Sequence, residues 1–233
     1  MLATRLATST RRTSCFSSPS HRLFSSSRLS LSLSIRSRKY PDLYYHPLDS
    51  SSSSASLSYS LSYLPDPPPS LAFSPTTIGL LRPLAQPSAQ STFPGDKQPE
   101  IDVEGVPPLT PRSFQENSDF LKLVHTTLRE AVEGDLWLQT QAKSMEGTDT
   151  YIHIPDHRCP ADANRQPSPQ DILASLLVQS GKLVPESYEP NKVAYRLVTE
   201  DGLMRLPEGL HKAVVQACGR VREIEEEVAS GKE

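Results

Sequence analysis

The sequence predicts an α+β domain: a small antiparallel three-stranded sheet packed by an N-terminal and a C-terminal helix, and preceded by a long disordered N-terminal region. Three observations support this. Residues 112–229 combine strand-like runs with two amphipathic stripes. Residues 42–111 are rich in serine and hold 12 of the 22 prolines between Pro65 and Pro111. Residues 1–41 are basic and contain no acidic residue.

Residues 1–41 are typical of a mitochondrial transit peptide, because arginine and serine are mixed with scattered leucine and phenylalanine. The apolar residues are too interrupted for a secretory signal or a membrane span. The segment RLFSSSRLSL at 22–31 matches a two-step presequence pattern with cuts after Leu23 and Leu31. We therefore expect a mitochondrial matrix protein; a chloroplast address, with similar composition, is the alternative.

Residues 42–111 are predicted to form a disordered linker, since serine and proline dominate and little apolar area is available for burial. One stretch departs from this pattern. Between Ala55 and Tyr63, apolar residues alternate with serines at the period of a strand. Because no partner strand is evident, we interpret the stretch as low-complexity sequence; an error in the gene model is an alternative.

The predicted domain opens with a helix. Ser113 with Glu116 has the spacing of a capping box, and Ser118 is a second candidate cap. An apolar stripe follows at helical spacing, including Phe120, Val124 and Leu128. Asp135 could cap a second helical piece that contains Trp137.

Strands are predicted at 150–154, 172–178 and 193–199 from β-branched and apolar runs. The segments that connect the later runs are short and contain turn residues, so the strands should pair antiparallel. Pro207 and Glu208 suit the start of a last helix, whose apolar stripe includes Leu210, Val214, Cys218 and Ile224.

The stretch PQDILASLLVQSGKLVPESYEPNKVAYRLVTEDGLMRL resembles a small group of fungal proteins that have mitochondrial presequences and no assigned activity. The resemblance covers about residues 150–215 and consists of the strand and turn pattern. It implies a mitochondrial address and implies no catalytic residue or cofactor.

Charge and motifs exclude several classes of function. Eight of the 24 basic residues precede Pro41, which leaves 16 to face all 27 acidic residues from Asp42 onward. An acidic chain of this kind is not expected to bind nucleic acid. No phosphate-binding glycine motif follows a predicted strand, so no nucleotide cofactor is expected.

The densest group of reactive side chains is His153, Asp156, His157 and Cys159. A structural zinc site usually needs two separated ligand pairs, and no second pair follows, so we predict no metal. Cys218 falls on the apolar stripe of the last helix, where a thiol is usually inert. We predict no catalytic residue.

Two classes of function stay open, and the sequence does not decide whether the protein is an enzyme. The first is a non-catalytic matrix module that binds a protein partner, as an assembly factor or accessory subunit, through apolar residues left uncovered at Trp137 and Ile224. The alternative is a small enzyme or ligand-binding domain with its site at the strand end 151–158, using His153, Asp156 and Arg158.

Overall fold

A computed structural model of the chain describes residues 33–48, 57–69, 74–83, 101–158 and 168–230. Within these ranges the chain forms ten strands in three antiparallel sheets and three α-helices. None of these helices has the length and hydrophobicity that a membrane crossing needs.

The largest sheet has five strands that pair in chain order. They are β1 (Ile35–Arg36), β2 (Tyr44–Leu48), β3 (Ser58–Ser62), β4 (Thr77–Leu81) and β5 (Phe114–Glu116). Leu61 on β3 pairs with Tyr45 on one side and Gly79 on the other. Leu61 and Tyr45 are both buried, so this sheet contributes directly to the hydrophobic core.

The predicted fold class, with a single small three-stranded sheet after a disordered region, is therefore wrong. Strands β1 to β4 lie in sequence assigned to the transit peptide and the linker. The alternating serines belong to β3, which has partner strands on both edges. Ser62 is buried, and its hydroxyl donates to the carbonyl of Thr76 and accepts from the amide of Leu64. Such bonds make a buried serine acceptable in a strand.

Asp102 fastens the start of the large sheet. Its carboxylate accepts hydrogen bonds from the backbone amides of Arg38 and Lys39, at 3.0 and 2.8 Å. The hydroxyls of Ser37 and Tyr45 donate to the same carboxylate. Burial and the neighbouring Asp102 raise the pKa of Tyr45, so its phenol keeps the proton that it donates.

Helix α1 (Ser118–Ala131) buries Phe120, Val124 and Leu128. Its N-cap is Asn117, not Ser113 or Ser118, and the Asn117 side chain accepts from the amide of Asp119. The same side chain donates to the carbonyls of Ser74 and Thr77, which explains why asparagine is used here. A 3₁₀ turn (Val132–Gly134) then leads to α2 (Leu136–Ser144), which Asp135 caps through the amide of Leu138.

The second sheet has the order β6 (Thr150–Pro155), β7 (Ile172–Gln179) and β8 (Lys182–Pro190). The partner of β7 is thus not the strand predicted at 193–199. Ser180 and Gly181 both have positive φ and form a tight hairpin turn, after which β8 continues as an edge strand despite its prolines. Only β9 (Val198–Thr199) lies in the predicted segment, paired with β10 (Gly202–Leu203).

Helix α3 (Glu208–Ala229) packs against α1 and buries Leu210, Val214 and Cys218. Further along the helix, Arg222 is also buried. Its guanidinium donates to the carbonyls of Asp66 and Pro67. These bonds hold the far half of α3 against the segment between β3 and β4.

Candidate functional site

Asp156 and Arg158, two of the predicted site residues, lie in a buried ion-paired cluster. The Arg158 side chain is 1% exposed, and its Nε lies 2.9 Å from Asp171 Oδ1 and 3.4 Å from Asp156 Oδ2. The remaining guanidinium nitrogens donate to backbone carbonyls of the facing loops, those of Gln170, Arg196, Leu197 and Gly202. The guanidinium therefore has no group left to offer a ligand.

Both carboxylate oxygens of Asp156 also accept hydrogen bonds from within the protein. Its Oδ1 accepts from the amides of Arg158 and Arg205, and its Oδ2 accepts from the hydroxyl of Tyr195 at 2.9 Å. Burial raises the pKa of Asp156, and the adjacent Arg158 opposes that shift. This cluster joins the end of β6 to the segment that leads into α3. It is a structural clamp and not a reactive centre.

The other members of the predicted strand-end site point elsewhere. His153 is exposed, and its Nδ1 lies 2.9 Å from Ser175 Oγ on β7. It alternates along β6 with the buried Ile152 and Ile154, so it lies on the opposite face of the sheet from the core. His157 is exposed and packs against Trp137 with the ring planes nearly perpendicular and the centroids 5.7 Å apart. Cys159 lies outside the described residues.

Trp137 and Ile224, the predicted partner surface, lie near opposite ends of the last helix, α3. Trp137 borders a groove that Gly209 also lines, at the start of α3. Ile224 is 60% exposed near the other end of that helix, roughly 22 Å further along at about 1.5 Å per residue.

We call the first of these features the Trp137 groove. It has a volume of about 550 Å³ and lies between the start of α2 and the first turn of α3. Leu136 on its wall is 78% exposed. Gly209 allows the two helices to approach, since a Cβ there would come within 2.6 Å of the Asp135 carboxylate that caps α2. The groove thus presents a large apolar side chain to solvent on a rigid support.

A second concave feature, which we call the His211 cavity, lies on the other side of the same helical turn. Its volume is about 410 Å³. The wall combines the turn at Tyr40–Asp42, the ring of Tyr63, the strand end and loop at 203–206, and Glu208, His211 and Lys212 of α3. Glu208 and Lys212 also line the Trp137 groove, so the two features adjoin.

His211 is the only histidine in the wall of this cavity. Its Nε2 lies 3.3 Å from Asp42 Oδ2, and its ring meets that of Tyr63 edge to face with centroids 5.0 Å apart. Tyr63 is 3% exposed, and burial raises the pKa of its phenol.

Sequence reasoning missed this constellation because its members come from distant segments. Asp42 and Tyr63 lie in the predicted linker, and 169 positions separate Asp42 from His211. No local spacing signals such a pair. The Cys218 thiol lies further along α3, and burial raises its pKa to about 12, so it is not a nucleophile near neutral pH.

Comparison of the chain with protein-family models, with curated proteins and with solved structures finds no match. Functional inference therefore depends on the chemistry of these side chains.

Proposed function

We propose that the protein is a non-catalytic accessory module of the mitochondrial matrix that binds a larger protein assembly through the Trp137 groove. The observation that supports this most directly is the exposure of Leu136 beside the half-buried Trp137. A large aromatic residue in a groove with an aliphatic neighbour is the composition of an interface hot spot. The competing strand-end site has less support, because Asp156 and Arg158 satisfy each other inside the protein.

The charge around the groove indicates the chemistry of the partner. Glu130 and Glu133 are exposed on the preceding turns, whereas Glu208 on the groove wall pairs with Lys212, with 2.6 Å between Glu208 Oε1 and Lys212 Nζ. The chain from Asp42 onward has 27 acidic residues against 16 basic ones. Charge complementarity therefore favours a partner segment that places an apolar side chain between basic residues.

Replacing Leu136 with aspartate is expected to weaken association with the large assembly by at least about tenfold. The reason is that a charge would be placed in the apolar contact. The measurement is sedimentation of tagged variants from gently lysed mitochondria. Val193 is 84% exposed and does not line the groove, so Val193→Asp is the matched control and should sediment as the wild type does.

Both positions are exposed, so both variants should keep the thermal midpoint of the wild type. Equal sedimentation of the two variants would refute the groove as the contact. A wild-type protein that sediments as a free monomer would refute the accessory role altogether.

The proposal of a matrix location rests on the acid-free N-terminus. If this segment is a transit peptide, the structure bears on where it is cleaved. Ser37 and Tyr40 are buried, and the Ser37 hydroxyl donates to Asp102. A mature chain that began at residue 42 would lose these contacts and β1. Cleavage after Leu31 would preserve them, so we favour that site over a boundary at 41.

Import of the full chain into isolated mitochondria is expected to give a protected product whose first residue is Ser32. Mass spectrometry of the N-terminal peptide measures this directly. A chain that lacks residues 1–31 should stay outside the organelle. Recovery of that truncated chain inside mitochondria, or a mature product that starts at Asp42, would contradict the proposal.

A further inference from the structure

We propose that the end of α3 is a contact between two copies of this chain, in which two α3 helices pack antiparallel about a two-fold axis near Ile224. This inference goes beyond the accessory role proposed above and does not depend on it. It follows from an apolar row on α3 that is buried along one half and exposed along the other. The positions of two charges beside the exposed half identify the partner as a second copy.

The apolar row has the spacing of a coiled-coil seam. Its five members alternate at three and four residues along α3: Val214, Ala217, Val221, Ile224 and Val228. Val214 and Ala217 are buried in the half of α3 that packs against α1. Ile224 and Val228 are 60% and 75% exposed. A row of this kind is stabilised by a facing helix, and one copy of the chain leaves its second half uncovered.

Two charges of opposite sign border the exposed half on the same side. Arg220 comes four residues before Ile224 and Glu227 three residues after it, so both lie within about 60° of Ile224 around the helix. Both residues are exposed, and neither side chain has an ion pair within the part of the chain that the structure describes. The two are about 10 Å apart along the axis, too far to pair with each other.

An antiparallel pairing about Ile224 brings these charges together. Residues on either side of the axis exchange places in the second copy, so Arg220 of each copy lies beside Glu227 of the other, within about one 1.5 Å helical step. Two equivalent ion pairs form, as a two-fold contact requires. Ile224 then packs on Ile224 of the second copy, and the aliphatic stem of Arg220 covers Val228 of the second copy.

The neighbouring acidic residues are compatible with this arrangement. Glu226 lies about 200° from Ile224, on the opposite side of the helix. Glu225 accepts from the hydroxyls of Ser74 and Thr76 in its own copy. A parallel pairing would need Glu225 as the partner of Arg220, because that is the charge pair that parallel seams use. Since Glu225 is already engaged, the antiparallel pairing is favoured.

The contact is short, which sets its strength. Two helical turns bury less area than a stable interface of about 1,200 Å² or more, so we expect a dissociation constant on the order of 100 μM. At about 1 μM the chain is then a monomer, and its unfolding is that of the monomer.

Sedimentation equilibrium of the purified full chain from about 1 to 500 μM at low ionic strength measures the association. The wild type is expected to pass from monomer to dimer over this range. Ile224→Asp should raise the dissociation constant at least about tenfold, because it places two charges in the centre of the apolar contact. Val193 is 84% exposed and lies outside α3, so Val193→Asp is the matched control and should dimerise as the wild type does.

Exchange of the two charges tests whether the partner is a second copy. Arg220→Glu and Glu227→Arg should each weaken the dimer by about tenfold, because two like-charged pairs replace two ion pairs. The two substitutions combined in one chain restore both pairs with reversed polarity, so the dissociation constant should return to within about threefold of the wild type. Glu226→Arg makes the same charge change on the opposite side of the helix and should not weaken the dimer.

All the substituted side chains are exposed, and a thermal melt of each variant checks that it is folded. A chain that remains a monomer over the whole range refutes the contact. Dimerisation of Ile224→Asp with wild-type affinity would place the contact elsewhere and refute it as well. A combined charge variant that associates no more tightly than the single variants would show that Arg220 and Glu227 do not meet.

Discussion

Replacing Arg158 with methionine is expected to lower the free energy of unfolding by about 3–5 kcal/mol, the usual cost of removing one partner from a buried ion pair. Methionine keeps much of the volume but leaves Asp156 and Asp171 without their cation. Four carbonyl acceptors on the facing loops also lose their donor. Urea denaturation of the purified full chain measures the difference.

The control is Arg220→Met, because Arg220 is exposed on α3 and has no charged partner in the part of the chain that the structure describes. That exposed replacement should change stability by less than about 0.5 kcal/mol. If Arg158→Met also changed the free energy of unfolding by less than about 0.5 kcal/mol, the buried ion-paired cluster would not be a stabilising clamp.

The deficit of Arg158→Met should shrink as pH falls from neutral towards 5. Burial raises the pKa of Asp156, and Arg158 opposes the shift, so the pKa should rise further once the cation is gone. A carboxyl whose pKa is higher in the folded than in the unfolded state gains relative stability as pH falls through the folded value. An equal deficit at both pH values would mean that Asp156 does not titrate in this way.

Local periodicity predicted the helices because a helix satisfies its backbone within one segment. The stripe of Phe120, Val124 and Leu128 is sufficient to indicate α1 without knowledge of its partners. The apolar run at 172–178 likewise predicted a strand, and β7 occupies this run with a neighbouring strand on each edge.

The large sheet was missed because a strand is stabilised by partners that its own sequence does not specify. Composition argued against order around β3, where three of the five residues are serines. Burial of Tyr59 and Leu61 depends on β2 and β4, which lie across low-complexity sequence. Asp102 stabilises the same region through residues 57 to 65 positions away. Such contacts have no local signal.

The His211 cavity was missed for the same reason. The side chains of the predicted strand-end site do not come together, and the cause is local strand geometry. His153, Asp156 and Arg158 are close in sequence, but the alternation of β6 turns His153 to solvent, and the chain beyond β6 turns the other two inward. The groups of the His211 cavity come from the turn at 40–42, the end of β3, the 203–206 loop and α3. Only the fold brings these segments together.

Replacing Gly79 with alanine is expected to destabilise the protein by about 1–3 kcal/mol, the usual cost of adding a methyl group to a packed core. Gly79 lies in the middle of β4, opposite Glu116 on β5. A Cβ at this position would collide with the ring of Phe114 and with the backbone carbonyl of Gln115. The carbonyl belongs to a paired strand and cannot move aside without breaking the ladder.

The matched control is Gly134→Ala, where a Cβ meets no atom within 4 Å and φ is not positive. Alanine there should be neutral or stabilise the protein by up to about 1 kcal/mol, because it restricts the unfolded chain. Gly79→Ala should therefore lower the urea midpoint, and Gly134→Ala should leave it unchanged or raise it. If residues 42–111 formed a disordered linker, the added methyl at Gly79 would meet nothing and would leave the midpoint unchanged. The comparison thus tests directly whether β4 is part of the folded protein.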